Sequence, residues 1–190
     1  MSCRIVVVDT MSSNPTNAEV FVYTGEGGAE VPRDVVRVRV DPSVTSIPAN
    51  AFDQRKKLTE VELCEGLVEI GVGSFACCNH SITKINIPAS LRIIDDNAFW
   101  RSLRCSIRLH DGIESIGEYA FDSCIFTNFR VPPLITVIPR FMLAWCKSTF
   151  SVEIPLTVTE IKNEAFWCCH CLRNIAFPPN ADVGDDILGG

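Results

Sequence analysis

Two short clusters of cysteine and histidine are the residues of this chain with the clearest capacity for chemistry. They are Cys77-Cys78-Asn79-His80 and Cys168-Cys169-His170-Cys171. Thiolates and imidazoles are the usual ligands of zinc. The clusters lie four copies apart in the repeat described below, which separates them by about 19 Å if stacked strands are about 4.8 Å apart. We therefore predict no metal site, and a redox role for exposed Cys77, Cys168 or Cys171 stays as the alternative.

The three histidines, His80, His110 and His170, give little support for nucleophilic catalysis. Asp111 follows His110, but sequence neighbours in an extended segment face opposite ways and no nucleophile accompanies them. The segment Gly25-Glu26-Gly27-Gly28 lacks the Lys and the following helix of a phosphate loop, so it predicts a turn. We predict no enzyme, no catalytic residue and no cofactor.

Composition narrows the class of protein further. The 190 residues have a net charge of −6 and are 47% hydrophobic. The apolar content excludes a disordered chain, and the deficit of positive charge argues against nucleic acid as a partner. The apolar run at 5–8 is too short for a signal-peptide core or a membrane span, so we expect no membrane partner. Ten cysteines without a secretory signal predict free thiols in the cytoplasm or another reducing intracellular compartment.

An internal repeat of 22 to 24 residues dominates the chain from about residue 38. Three independent columns keep this period. The first is Phe52, Phe75, Phe99, Phe121, Leu143 and Phe166. The second is the alternating pairs Val61/Leu63, Ile85/Ile87, Ile107/Leu109, Phe129/Val131, Val152/Ile154 and Ile175/Phe177. The third is the doublets Val44/Ile47, Leu67/Ile70, Leu91/Ile94, Ile113/Ile116, Ile135/Ile138 and Val158/Ile161. Cys78, Cys124, Cys146 and Cys169 follow the first column by three residues and predict a packing column.

Each copy can be interpreted as one structural unit. The alternating pair predicts a short strand with one buried face, and Pro88, Pro132, Pro155 or Pro178 ends it because Pro cannot donate to the ladder. The doublet lies on the return path, and a single helical turn around Ala-Phe would point the Phe inward. Because no unit of this length closes its own core, neighbouring units must stack.

The residues Leu58, Val61 and Leu63, with Ile85-Asn86-Ile87-Pro88 and Ala120-Phe121-Asp122-Ser123-Cys124, resemble the BspA-like class of leucine-rich repeats. The resemblance implies a β-rich, right-handed, curved solenoid of about six repeats. Short strands would form one concave sheet, with single-turn helical or irregular segments opposite. It also implies protein or surface recognition without catalysis. The asparagine that is usual in leucine-rich repeats is missing from five of the six matching positions and present only at Asn180, so we expect no asparagine ladder, and the Phe and Cys columns should fill the turn.

The ends of the chain depart from the repeat. We expect an N-terminal cap or extension over 1–34, built from apolar stretches at 4–8 and 19–23, the solenoid over 35–180, and a truncated repeat or tail over 181–190. A stack needs a polar end unit to cover its last core layer. Because 181–190 has Val183 and Ile187 but no Phe or Cys of the columns, end-to-end self-association of a scaffold segment is the alternative function.

Outward-facing charges on the strands form the candidate binding site, here called the charged stripe. Its members are Glu60, Glu62, Lys84, Arg108, Arg130 and Glu153. They point outward because their neighbours in the alternating pairs point inward. Three cations on adjacent strands repel mildly unless something offsets them. We interpret the stripe as a surface for an acidic patch of a protein partner, and an ordinary solvated face is the alternative.

Overall fold

The chain is a parallel β-solenoid in a computed structural model that describes residues 19–25 and 30–189. The predicted stretch at 4–8 and most of the predicted glycine turn lie outside the described residues. Successive coils repeat about every 23 residues, and the fold class predicted from the sequence is confirmed.

All strands of the described residues are short, and every pairing between them is parallel. In chain order they are β1 (Val20–Tyr23), β2 (Arg37–Val40), β3 (Ser46–Ile47), β4 (Glu60–Glu62), β5 (Glu69–Ile70), β6 (Lys84–Ile85), β7 (Ile93–Ile94), β8 (Ser115–Ile116), β9 (Asn128–Arg130), β10 (Val137–Ile138), β11 (Ser151–Glu153), β12 (Glu160–Ile161), β13 (Asn174–Ile175) and β14 (Asp182–Val183).

The strands form two faces of each coil. The first sheet has the order β1-β2-β4-β6 and resumes as β9-β11-β13, and it carries the alternating pairs. The second sheet has the order β3-β5-β7-β8 and resumes as β10-β12-β14. Its two-residue strands are built from the apolar doublets, for which the sequence predicted only a return path. Ile47, Ile70 and Ile94 point inward there and are fully buried.

The first sheet is interrupted at the coil that contains Ile107 and Leu109. Both side chains are buried as predicted, but this segment forms no regular strand. The reason is one extra residue. Leu58 and Val61 are three positions apart, as in the other coils, whereas Leu103 and Ile107 are four apart. An extra residue displaces the backbone out of register and breaks the ladder of hydrogen bonds, as in a β-bulge.

The third side of each coil carries the Ala-Phe motif, and it is a pair of turns instead of the predicted helical turn. Residues on both sides of the motif have left-handed backbone angles, as at Asn50 (φ 60°) and Gln54 (φ 58°), which a right-handed helix does not allow. Backbone N–H groups instead donate to the next coil, as Phe52 does to Ser74 at 2.7 Å. The described residues contain no helix, and so none that is long and apolar enough to cross a membrane.

The Phe column forms the centre of the core. Phe52, Phe75, Phe99 and Phe121 are fully buried and stack in file, with ring centroids 4.8, 5.4 and 5.6 Å apart. Tyr23 of β1 packs edge-on against Phe52 at 5.0 Å, so β1 covers the first layer. The stacked rings confirm that each coil covers the hydrophobic side of the next coil and buries it.

The Cys column binds one coil to the preceding one through the backbone. The thiol of Cys124 donates to the carbonyl oxygen of Phe99 at 3.1 Å, and that of Cys146 donates to Phe121 at 3.2 Å. Ser102 occupies the same position in its coil, and its hydroxyl donates to the carbonyl oxygen of Phe75. The carbonyl oxygens of Phe99 and Phe121 also accept the backbone N–H of Ser102 and Cys124, both at 3.2 Å, so each thiol adds a second hydrogen bond that links neighbouring coils.

Candidate functional site

The charged stripe lies on the solvent side of the first sheet, as the alternation of the strands predicts. Glu62, Lys84, Arg108, Arg130 and Glu153 are exposed. The remaining member, Glu60, is half-buried between two cations. Their placement follows from the inward-facing partners such as Val61, which is 3% exposed.

The acidic part of the stripe is neutralised by arginines that the sequence analysis did not include. Arg37 Nε donates to Glu60 Oε2 at 3.0 Å, and Arg39 Nε donates to Glu62 Oε2 at 2.8 Å. Lys84 Nζ lies 3.8 Å from the same oxygen of Glu60. The position of the two arginines one coil earlier, beside Val38 and Val40, was the signal that could have found them.

The basic part of the stripe is only partly offset. Arg130 Nη1 donates to Asp111 Oδ1 at 2.6 Å, and its Nε lies 4.0 Å from Glu153 Oε2. Arg108, in the coil between β6 and β9, has no ion pair with any residue that the structure describes. The predicted repulsion between the three cations is therefore reduced by the carboxylate partners of Lys84 and Arg130. Arg108, beside the interruption of the first sheet, keeps an unpaired charge among the described residues.

A second surface, which the sequence analysis missed, lies along the turns. We call it the turn groove, an open cavity of about 460 Å³. Its lining includes His80, Trp100, Arg101, Asp122, Ser123, Ile125, Trp145 and Lys147. Arg101, Ser123 and Trp145 occupy equivalent positions in three successive coils and have left-handed backbone angles. The signal in the sequence was a tryptophan one or two positions after the residue of the Phe column, as at Trp100 and Trp145.

The floor of the turn groove carries one carboxylate. Asp122 is 5% exposed, and burial raises its pKa, while the hydrogen bond from Ser123 and the charge of Arg101 act in the opposite direction. The hydroxyl of Ser123 donates to Asp122 Oδ1 at 2.5 Å. Beside it, burial lowers the pKa of His80, and Arg101 and Arg104 add to this effect. His80 Nδ1 has no hydrogen-bond partner among the residues described.

The cysteine and histidine clusters are split between the core and the surface. Cys78 and Cys169 are buried in the Cys column, and burial raises the pKa of both to about 12. Cys77 is half-buried and Cys171 is exposed. The expectation that Cys168 is exposed is wrong, since it is only 9% exposed. Within the described ranges, no three Cys, His, Asp or Glu residues are grouped so as to hold a metal ion.

His110 does not form a catalytic pair with Asp111. Its Nδ1 accepts a hydrogen bond from the backbone N–H of Gly112 at 3.1 Å, while Asp111 binds Arg130. Both residues therefore have structural roles in the turn after Leu109 and in the ion pairs of the first sheet.

Each coil contributes strands to two parallel sheets, a ring to the Phe column and a third side made of turns. This architecture places the chain in the leucine-rich repeat class of solenoids. The sequence matches the BspA type leucine-rich repeat region in six copies over residues 34–105 and 72–187. The chain belongs to this family. Such repeat proteins generally act in protein interactions or as scaffolds and are generally not enzymes.

Solved structures support the fold. A leucine-rich repeat protein of T. pallidum has a TM-score of 0.74 at 23% identity, over 80% of this chain and 74% of that one. One from Bacteroides ovatus has a TM-score of 0.61 at 24% identity, over 88% of this chain and 48% of that one. A leucine rich cell surface protein from Faecalibacterium prausnitzii has a TM-score of 0.53 at 24% identity, over 80% of this chain and 36% of that one. This chain thus spans about half the length of the Bacteroides protein. Comparison with curated proteins gives no match.

Proposed function

We propose that this chain is a non-catalytic protein-recognition module that uses the first-sheet face, with Arg108 as the centre of its contact with an acidic segment of a partner protein. The supporting observation is the charge on Arg108. Lys84 and Arg130 of the same stripe have carboxylate partners within 4 Å, whereas Arg108 has none among the described residues. A cation without a counterion on an extended face attracts a complementary charge and steers its association.

The interruption of the first sheet supports the same assignment. The extra residue between Leu103 and Ile107 disturbs the backbone ladder next to Arg108, and bulges of this kind often lie beside functional sites and redirect side chains. Family membership supports the coarser part of the proposal, since stacked repeats present extended surfaces to other proteins. All nine cysteines described are free, which supports a reducing compartment as the place of action.

Site-specific photo-crosslinking tests the first-sheet face. A photoreactive residue replaces exposed Ser106 in the full chain, and a second variant carries it at exposed Thr136 on the other side of the coil. We expect a discrete crosslinked protein from the first position only. Salt should weaken its capture, and R108E/R130E should reduce it by about tenfold, which corresponds to about 1.4 kcal/mol.

A matched control has the same change of net charge at exposed lysines that are not members of the stripe, K57E/K162E. This control should leave the crosslink unchanged. An equal loss in both double variants, or a crosslink that R108E/R130E does not affect, contradicts the use of the charged stripe.

Self-association as a scaffold is the second candidate, and the last coil favours it. β13 pairs with β11 on one side and has no second strand partner in the described part of the chain. Ile175 and Phe177 are only half-buried there, and Leu188 is 45% exposed. An unpaired strand edge beside apolar side chains is a template for another strand.

Sedimentation velocity across a dilution series separates the two functions. A scaffold segment should form oligomers whose mass falls on dilution. A monomer at every concentration contradicts self-association and leaves the recognition module unaffected.

A further inference from the structure

We propose that the turn groove is a separate docking site for an acidic peptide segment of another protein, with a bulky apolar side chain of that segment placed against Trp145 and Ile125. This proposal does not depend on the charged stripe, because the turn groove lies on another side of the coil and shares no residue with it. Nothing in the membership of the family assigns a role to these turns.

Apolar contact area is available in the turn groove. Trp145 and Ile125 are each 38% exposed, although both are large apolar residues. The Trp145 ring is held edge-on against Trp167, with the ring centroids 5.1 Å apart. A tryptophan fixed in this way loses little conformational entropy when a ligand binds, and Trp is among the residues enriched at the centres of protein interfaces.

Charge selects the occupant. Arg101 and Lys147 line the turn groove, and Arg104 is close enough to lower the pKa of His80. Lys147 Nζ lies 4.8 Å from the centroid of the Trp145 ring, so a cation and the largest apolar surface are adjacent.

The carboxylate on the floor does not cancel these cations. Asp122 is almost fully buried and accepts a hydrogen bond from the hydroxyl of Ser123, so this single carboxylate offsets only part of the positive charge of Arg101 and Lys147. The rim is therefore basic on a chain whose net charge is −6. Carboxylates of a bound segment would pair with Arg101 and Lys147, and a basic segment would meet repulsion.

Selection from a displayed library of random seven-residue peptides against the full chain tests the proposal. We expect enrichment of peptides with at least two Asp or Glu and one bulky apolar residue. Synthetic versions should change the tryptophan fluorescence on binding, with affinity that falls as salt rises. R101Q/K147Q should weaken binding by about tenfold or more, as expected for the loss of two ion pairs that a ligand desolvates.

Two further variants make the result specific to the turn groove. W145A should also weaken binding, whereas W145F should retain most of it because an aromatic surface remains. R108Q/R130Q removes the same number of charges from the charged stripe and should have no effect. No enrichment, enrichment of neutral or basic peptides, or binding lost only in R108Q/R130Q each overturns the proposal. The last of these outcomes would support the first-sheet face instead.

Discussion

Replacement of Phe99 by Ala tests the stacking that holds the solenoid together. Phe99 is fully buried, with its ring 5.4 Å from that of Phe75 and 5.6 Å from that of Phe121, and the planes differ by only 5° and 9°. Truncation of a buried Phe costs about 3–5 kcal/mol through lost burial and the cavity that remains. F99A also removes two stacked ring pairs, each of which contributes about 0.5–1.5 kcal/mol. We therefore expect F99A to lower the free energy of unfolding by about 5 kcal/mol, at the upper end of that range.

Urea unfolding followed by circular dichroism measures this loss. Coils contact only their neighbours, so the damage to a central coil should also divide the array and make unfolding less cooperative. F150A is the matched control. The Phe150 side chain is 48% exposed, and its removal should cost about 1 kcal/mol or less.

A double-mutant cycle with Phe→Leu substitutions isolates the stacking itself and avoids a variant that fails to fold. Phe75 and Phe99 are in contact, so their coupling should be about 1 kcal/mol. Phe52 and Phe99 are separated by the ring of Phe75 and should show coupling near zero. The reasoning is refuted if F99A costs no more than F150A, or if the two pairs show the same coupling.

Three further predictions concern single sites. Cys171 should react fastest of the described thiols with a disulfide reagent because it is exposed, and C171S should lack this fast phase. Cys124 should react only after unfolding, because burial raises its pKa to about 12. Equal reaction rates for the two thiols in the native protein would contradict this prediction. Burial raises the pKa of Asp122, so the folded state holds its proton to a higher pH than the unfolded state does, and stability should fall as pH rises from about 4 through the raised value. D122N should remove this part of the pH dependence of the free energy of unfolding, measured by urea unfolding between pH 4 and 7. The same pH dependence in D122N and in the unchanged protein would contradict the prediction. G117A should destabilise by about 1–3 kcal/mol, since a Cβ there would press on the backbone nitrogen of Asp96; an unchanged melting temperature would show that the coil can adjust.

The period of the repeat was predictable because it depends on spacing alone. An apolar residue that recurs every 22 to 24 positions, as Phe75, Phe99 and Phe121 do, can be buried only if the copies stack, and the sequence carries that constraint in full. The inward direction of Val61 and the outward direction of Glu62 follow in the same way from the alternation of a strand.

The turns were harder to predict because Ala-Phe segments tolerate helix. The left-handed angles at Tyr119 and Ser123 come from the inter-coil hydrogen bonds, which only the stacked neighbour supplies. Tertiary contacts overrode local preference there, and the predicted helical turn was wrong.

The sequence by itself determined the stack, its period and the side of each strand that faces solvent, because burial follows from local periodicity. Only the tertiary structure decided which charges are offset and which aromatic rings share a surface. Arg39 meets Glu62, and Trp145 meets Trp167, across 23 and 22 residues of chain. Such contacts depend on the exact register between coils, and a single extra residue before Ile107 is enough to alter it.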